Sequence, residues 1–135
     1  MDDVREALAL LKEAAVSTRQ FRDYVNGRHR LAFATDKFQT AFSCMFRAFA
    51  DNLCAVVVDA VVDRLQVTGF SVDEGPPEAA QEAWRIWKRN RMDARASQAH
   101  REALTSGSAY VLVWPDEEGL PEIFLNRSDE VILLK

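Results

Sequence analysis

Residues Phe42 to Phe70 read FSCMFRAFADNLCAVVVDAVVDRLQVTGF, and the architecture of the chain is best read outward from them. Through Val61 the apolar residues recur at helical spacing: Phe42, Met45, Phe46, Phe49, Leu53, Val56, Val57, Ala60 and Val61 share one broad face. Ser43, Arg47, Asp51, Asp59 and Asp63 recur every fourth residue on the other face, interrupted at Ala55, which predicts a long helix with one wet edge. From Leu65 the period changes to two. Leu65, Val67 and Gly69 alternate with Gln66, Thr68 and Phe70, so the helix is expected to pass directly into a strand.

The whole chain has 135 residues, of which 48% are hydrophobic, enough for one domain with a core that needs neither disulfide nor metal. Its net charge of -4 and pI near 5.2 argue against a general polyanion-binding surface, leaving only local basic patches. Cys44 and Cys54 stand ten residues apart on one predicted helix. At about 1.5 Å rise per residue their Cα atoms would be roughly 15 Å apart, too far to bridge. Buried free thiols in a reducing compartment are the expectation, and no further ligands stand at metal-binding spacing. The N-terminus MDDVREALALLKEAA is acidic and helical, unlike a secretory signal. The most apolar run, VVVDAVV, is broken by Asp59 far short of a bilayer span, so no membrane is implied.

The rest of the chain arranges itself around this spine. Val4, Ala7, Leu8, Leu11, Ala14 and Ala15 form a helical stripe over residues 3 to 16, with Asp2 and Asp3 at its dipole-positive end. A short helical piece with Phe21, Tyr24 and Val25 follows, and Asn26-Gly27 stops it. Thr35 or Asp36 is placed to cap the long helix. Ser71 to Pro77 is a break, because Gly75 and two prolines continue neither helix nor strand. Glu78 opens an amphipathic helix with Trp84 and Trp87 on its apolar side, and Asn90 interrupts it. Asp93 is set to cap a further helix, alanine-rich on its apolar side, that ends at Gly107. Ser108 to Trp114 and Leu120 to Leu125 flank the turn PDEEG as a β-hairpin, and Glu130 to Leu134 is predicted to begin a third strand.

The expected class is therefore α+β: several helices, one long and central, packed on a small antiparallel sheet with a C-terminal β-hairpin. The chain reads as a single domain with a helical segment over 1–34, core helix and strand over 35–70, a loop over 71–77, a helical pair over 78–106, and hairpin with strand over 107–135.

Chemistry is harder to find. No glycine-rich phosphate loop, HExxH, CxxC, GxSxG or paired-carboxylate signature is present, so the residues alone yield neither an enzyme nor a cofactor. Arg28-His29-Arg30 is a basic tripeptide in a loop, suited to a phosphate or an acidic partner but also to plain solvation. Asp59 and Asp63 stand one turn apart, yet no His, Cys or basic neighbour completes a site around them. Lys88, Arg89, Arg91 and Arg95 form the most basic segment, where ion pairing with carboxylates competes with partner binding.

In order along the chain, several features resemble the N-terminal wing region of portal proteins of tailed bacteriophages, of the siphophage type. The resemblance runs from Tyr24-Val25-Asn26-Gly27 with His29-Arg30-Leu31, through Asn52 and VVDAVVDRLQVTGF (Val57 to Phe70), to Trp84, Trp87 and Asn90-Arg91-Met92-Asp93. It continues through His100, Ala103-Leu104, Gly107, Ala109-Tyr110-Val111, Val113, and the Asp-to-Gly turn with Pro121 and Ile123. It implies a structural, non-catalytic phage protein, part of a homo-oligomeric ring, typically of twelve subunits, at the capsid vertex of the virion, assembled in the host cytoplasm. DNA passes through such a ring during packaging and ejection without sequence-specific binding. The terminase large subunit, head-completion or tail-connector proteins, and capsid or scaffolding proteins attach to it. Family members are several times longer, so the chain is expected to be an N-terminal fragment, a truncated prophage product or a small relative with a changed role, and not to close a stable ring alone. Arg28, Arg30, Asp59, Asp63, Arg64, Arg89 and Arg91 become candidate subunit or partner contacts. The alternatives are a nucleic-acid-binding module using Arg28, Arg30, Lys88, Arg89, Arg91 and Arg95 with a stacking Trp84 or Trp87, and an adaptor that docks through a strand edge after Glu130.

Overall fold

A computed structural model describes residues 2–28, 37, 40, 53–76 and 78–133. Among them the chain forms helices α1 (Asp2–Val25), α2 (Leu53–Val62), α3 (Glu78–Arg89) and α4 (Met92–Ser106), then strands β1 (Tyr110–Pro115) and β2 (Pro121–Asn126). The fold is α+β, with a C-terminal β-hairpin as its antiparallel sheet. Residues 42–52 of the hydrophobic run, with Cys44, Arg47 and Asp51, lie outside the described residues, as do His29, Arg30 and the Thr35 or Asp36 cap. The described part of that run supplies α2.

Helix α1 is continuous for 24 residues, whereas the sequence predicts a helix over 3 to 16 and then a separate short piece. Val16, Ser17 and Thr18 are weak helix formers, but Thr18 turns inward to a buried partner and the helix runs on through them. It stops at Asn26-Gly27, where Gly27 takes φ 67°.

Helix α4 holds the centre, with α1, α2, α3 and β2 all packed on it. Its Met92 and Ala96 are buried with Ile123 of β2, and Ile86, Trp87 and Leu125 close around them. This core is small. No side chain among the described residues is fully buried, while Leu53, Val56 and Val57 of α2, Val4 and Val16 of α1, and Val111 to Trp114 of β1 stay exposed.

The junction between α3 and α4 depends on Asn90. Its Nδ2 donates to Ile86 O (2.9 Å) and Pro121 O (3.0 Å), and its Oδ1 accepts the Ile123 N–H (2.9 Å). One amide thus ends α3 and pairs with the outer edge of β2 as a neighbouring strand would. Arg91 follows in the left-handed region (φ 52°), and α4 begins at Met92 without a side-chain cap. Asp93, predicted as that cap, instead lies in the first turn and pairs with Lys88 (3.2 Å), which holds its carboxyl below the usual range. At the other end Gly107 takes φ 84° and donates its N–H to Ala103 O (2.8 Å).

Two expected strands are not formed. Residues 65–70 pair with nothing among the described residues, because the sheet ends at β1 and β2. Alternation alone supplies no ladder partner, and Phe70 is drawn instead against Trp84 and Trp87. Residues 130–133 leave a turn in which Glu130 N–H bonds Arg127 O (3.1 Å), so the chain bends away from β2 rather than pairing as a third strand. Leu134 lies outside the described residues.

Replacing Asn90 by Ala strands the Ile123 N–H and should cost about 1–3 kcal/mol in urea unfolding. Gly107→Ala meets no atom within 4 Å but keeps an unfavourable φ, and should cost about 1 kcal/mol.

Candidate functional site

The most highly connected polar cluster joins three distant parts of the chain. The Arg22 guanidinium, from the last turn of α1, meets Asp129 at 2.6 and 3.0 Å and Glu102 of α4 at 2.5 Å. Glu102 Oε1 also accepts from Ser106 Oγ (3.0 Å), Ser128 Oγ (3.1 Å) and the Ser128 N–H (3.4 Å). Since Ser128 gives its hydroxyl proton to Glu102, Thr18 Oγ1 is the donor to Ser128 Oγ across 3.4 Å. Thr18 and Ser128 are the buried polar residues among those described.

Electrostatics follow from this packing. The bond from Arg22 holds Asp129 below the usual carboxylate range against the opposing effect of burial. Burial pushes Glu102 upward, but the bonds from Arg22, Ser106 and Ser128 together outweigh it and leave its pKa lowered. Arg22 stays protonated, its pKa raised chiefly by Asp129. Sequence reading missed all three residues. Their separations of 80 and 107 positions leave no local signal, and only the basic residue in the last turn of α1 was open to notice.

The candidate contact residues do not converge on one point. Arg28 is exposed just past α1, and Arg30 lies outside the described residues. Asp59 on α2 pairs with Arg101 of α4. Asp63 and Arg64 are exposed at the end of α2, where the Arg64 guanidinium donates to Ala60 O (2.9 Å). Arg89 pairs with Asp116 in the hairpin turn, and Arg91 is exposed at the α3–α4 corner. Asp116 is also the turn's organiser, because its Oδ1 accepts the N–H groups of Leu120 (2.8 Å) and Glu118 (3.0 Å). Those backbone bonds, the Leu120 one first, help Arg89 keep its carboxyl ionised below the usual range.

The residues proposed for nucleic-acid stacking have other engagements. Trp84 and Trp87 stack on each other (centroids 6.4 Å, planes 6° apart), and Phe70 meets both edge-on. Lys88 sits 5.2 Å over the Trp84 ring while paired to Asp93, and Arg95 donates to Asn90 O (3.3 Å). Lys88 and Arg89 are thus each answered by a carboxylate.

An apolar groove of about 460 Å³ opens where α1, α2 and α4 meet, lined by Phe21, Tyr24, Leu53, Val57, Val58 and Leu104 among others. Cys54, expected from the sequence to be a buried thiol, is instead exposed at its wall, because the α2 face that carries it is left open beside Leu53 and Val57. Among the described residues no cluster of His, Cys, Asp or Glu is arranged to hold a metal ion, and no helix is long and apolar enough to cross a membrane.

Compared with known proteins, residues 49–134 match the family model described as phage portal protein, SPP1 Gp6-like. No curated protein and no solved structure matches the chain. The matched run covers α2, α3, α4 and the hairpin, together with the turn bearing Ser128 and Asp129. The Tyr24 to Leu31 signature precedes it.

The lowered pKa values of Glu102 and Asp129 mean that the unfolded chain binds more protons than the folded one as acid is added. Their contribution is therefore full above the ordinary carboxylate range, about 4, and is lost as the pH falls through the folded values. Thermal midpoints measured from pH 7 to pH 2 should decline over that window. The double variant Glu102→Gln/Asp129→Asn should start less stable at pH 7 and show a shallower decline.

Proposed function

The chain belongs to the phage portal family, SPP1 Gp6-like, and from that membership we propose that it forms part of the ring at the capsid vertex through which DNA is packaged and ejected. The observation that carries this reading is the family match over residues 49–134, which takes in three helices and the hairpin in order. The role is structural. Portal subunits assemble, and the working parts of the chain are the surfaces that meet neighbours.

Two physical features support the reading. Among the described residues Leu53, Val56, Val57 and the β1 residues Val111 to Trp114 stay exposed, apolar surface that an assembling subunit can cover. The net charge of -4 suits a passage for DNA, since dense basic contacts would hold the polyanion rather than let it slide.

Within this reading Arg28, Asp63, Arg64 and Arg91 are the contact candidates with exposed side chains, and Arg30 joins them from the sequence alone. Asp59 and Arg89 serve first to tie α2 to α4 and α3 to the hairpin turn. Terminase, head-completion and capsid or scaffolding proteins are the proposed further partners. Nucleic-acid binding by the Lys88 to Arg95 segment is the weaker reading, because Lys88 and Arg89 already have carboxylate partners.

Immunogold labelling of capsids assembled from the genome that encodes this chain tests the proposal. Label at a single vertex of each particle is the expected result. Absence from particles, or label spread over all vertices, would contradict it.

A further inference from the structure

Two parts of the chain are left with unsatisfied backbone in complementary ways. The first is the outer edge of β1. Asn90 takes the Ile123 N–H, so at Ile123 the backbone of β2 points away from β1. Ile123 lies opposite Val113, and opposed residues in an antiparallel pair either exchange both bonds or both point outward. Val113 therefore presents its N–H and C=O on the free side of β1, and by alternation so does Val111, opposite Leu125. No third strand covers that side among the described residues. From Tyr110 to Trp114 the edge also lacks the charges, prolines or bulges with which exposed edges are commonly protected.

The second part is the segment over 65–72. Its N-terminal end is fixed by Arg64 and Leu65 N–H bonds to Val61 O and Val62 O (both 3.0 Å), and Phe70 is fixed on the Trp84/Trp87 stack. Between these anchors and on to Ser71, the backbone makes no hydrogen bond among the described residues. The segment has the alternation of a strand, with Leu65 46% and Phe70 41% exposed, and lacks only a ladder partner.

We infer that residues 65–70 of one copy add as an antiparallel strand to the free edge of β1 in a second copy. Full overlap of the two six-residue stretches sets Val67 opposite Val113. Charge decides only the sense: the antiparallel one leaves Asp73 and Glu74 at the Arg127 end of β2 and sets Asp63 and Arg64, of opposite sign, at the hairpin turn. The parallel sense would set Asp73 and Glu74 against the acidic turn. Donor and acceptor are different surfaces, so each copy can give a strand to one neighbour and receive one from another, the head-to-tail arrangement that a ring requires. The choice of a second copy as occupant rests on the portal reading and on one chain carrying both the free edge and the unpaired segment that fits it.

Disulfide trapping tests the contact in a Cys44→Ser/Cys54→Ser background. Val67→Cys and Val113→Cys are placed on separate chains of different mass and mixed under mild oxidation. A product joining the two variants is expected in the mixture and neither homodimer alone. Adding Val111→Pro to the Val113→Cys chain should cause loss of that product with the monomer's thermal midpoint unchanged, because the Val111 N–H has no partner among the described residues. Homodimers of Val113→Cys alone, an intrachain bond when both cysteines are on one chain, or monomers throughout would overturn the inference. Rings that assemble without the mixed product would overturn it and leave the portal reading in place. A mixed product in assemblies that never close would support the contact and count against that reading.

Discussion

An arginine set between two partly buried carboxylates has to be answered on both sides, because a charge left alone there costs more than the pair is worth. Arg22 imposes this condition on the chain. Its side chain is 16% exposed, and its partners Glu102 and Asp129 are 17% and 22% exposed. To satisfy it, the end of α1 must lie against α4, and the turn after β2 must bend back to reach both. Ser106, Ser128 and Thr18 complete the cluster, leaving Glu102 Oε1 with four donors. Losing one partner should cost about 2–4 kcal/mol, a large fraction of a small domain's stability. The apolar core gathered around Met92, Ala96 and Ile123 does not include α1, so the polar cluster bears much of its attachment.

This division of labour explains what could be read from the sequence. Local chemistry was legible. Pro76-Pro77 before Glu78, the glycine at 107 and the PDEEG turn all act through backbone conformation, and each marks the boundary of an element. The family resemblance at Val57 to Phe70 and across the hairpin likewise falls inside the matched residues. Long-range polar contacts were not legible, since Arg22 has no signature that points to Asp129 or Glu102. Asn90 was seen as a helix interruption, but its service to the edge of β2 depends on a strand 31 to 33 positions away. The alternation over 65–70 was read as a strand because periodicity reports which face is apolar, whereas a strand also needs a neighbour to bond. Residues 130–133 failed for a related reason, as the turn anchored by Arg22 and Arg127 carries them off the sheet.

The same features connect the fold to assembly. Much apolar surface stays exposed among the described residues, and the internal polar clusters keep the faces that carry it in register. Helix α4 does this for the described residues: it receives α1 through Glu102, α2 through the Arg101–Asp59 pair and α3 through the Asn90 corner, and it packs on β2 through Met92 and Ala96. The exposed faces of α1, α2 and β1 are thereby held at fixed positions on one frame.

The central claim is that Arg22 fastens α1 to that frame. Backbone hydrogen exchange on the intact protein and on Arg22→Leu measures it most directly. Amides of the second half of α1 should lose most of their protection in the variant, while those of α4 and the hairpin retain theirs. Unchanged protection along α1, or equal loss in α1, α4 and the hairpin, would contradict the account.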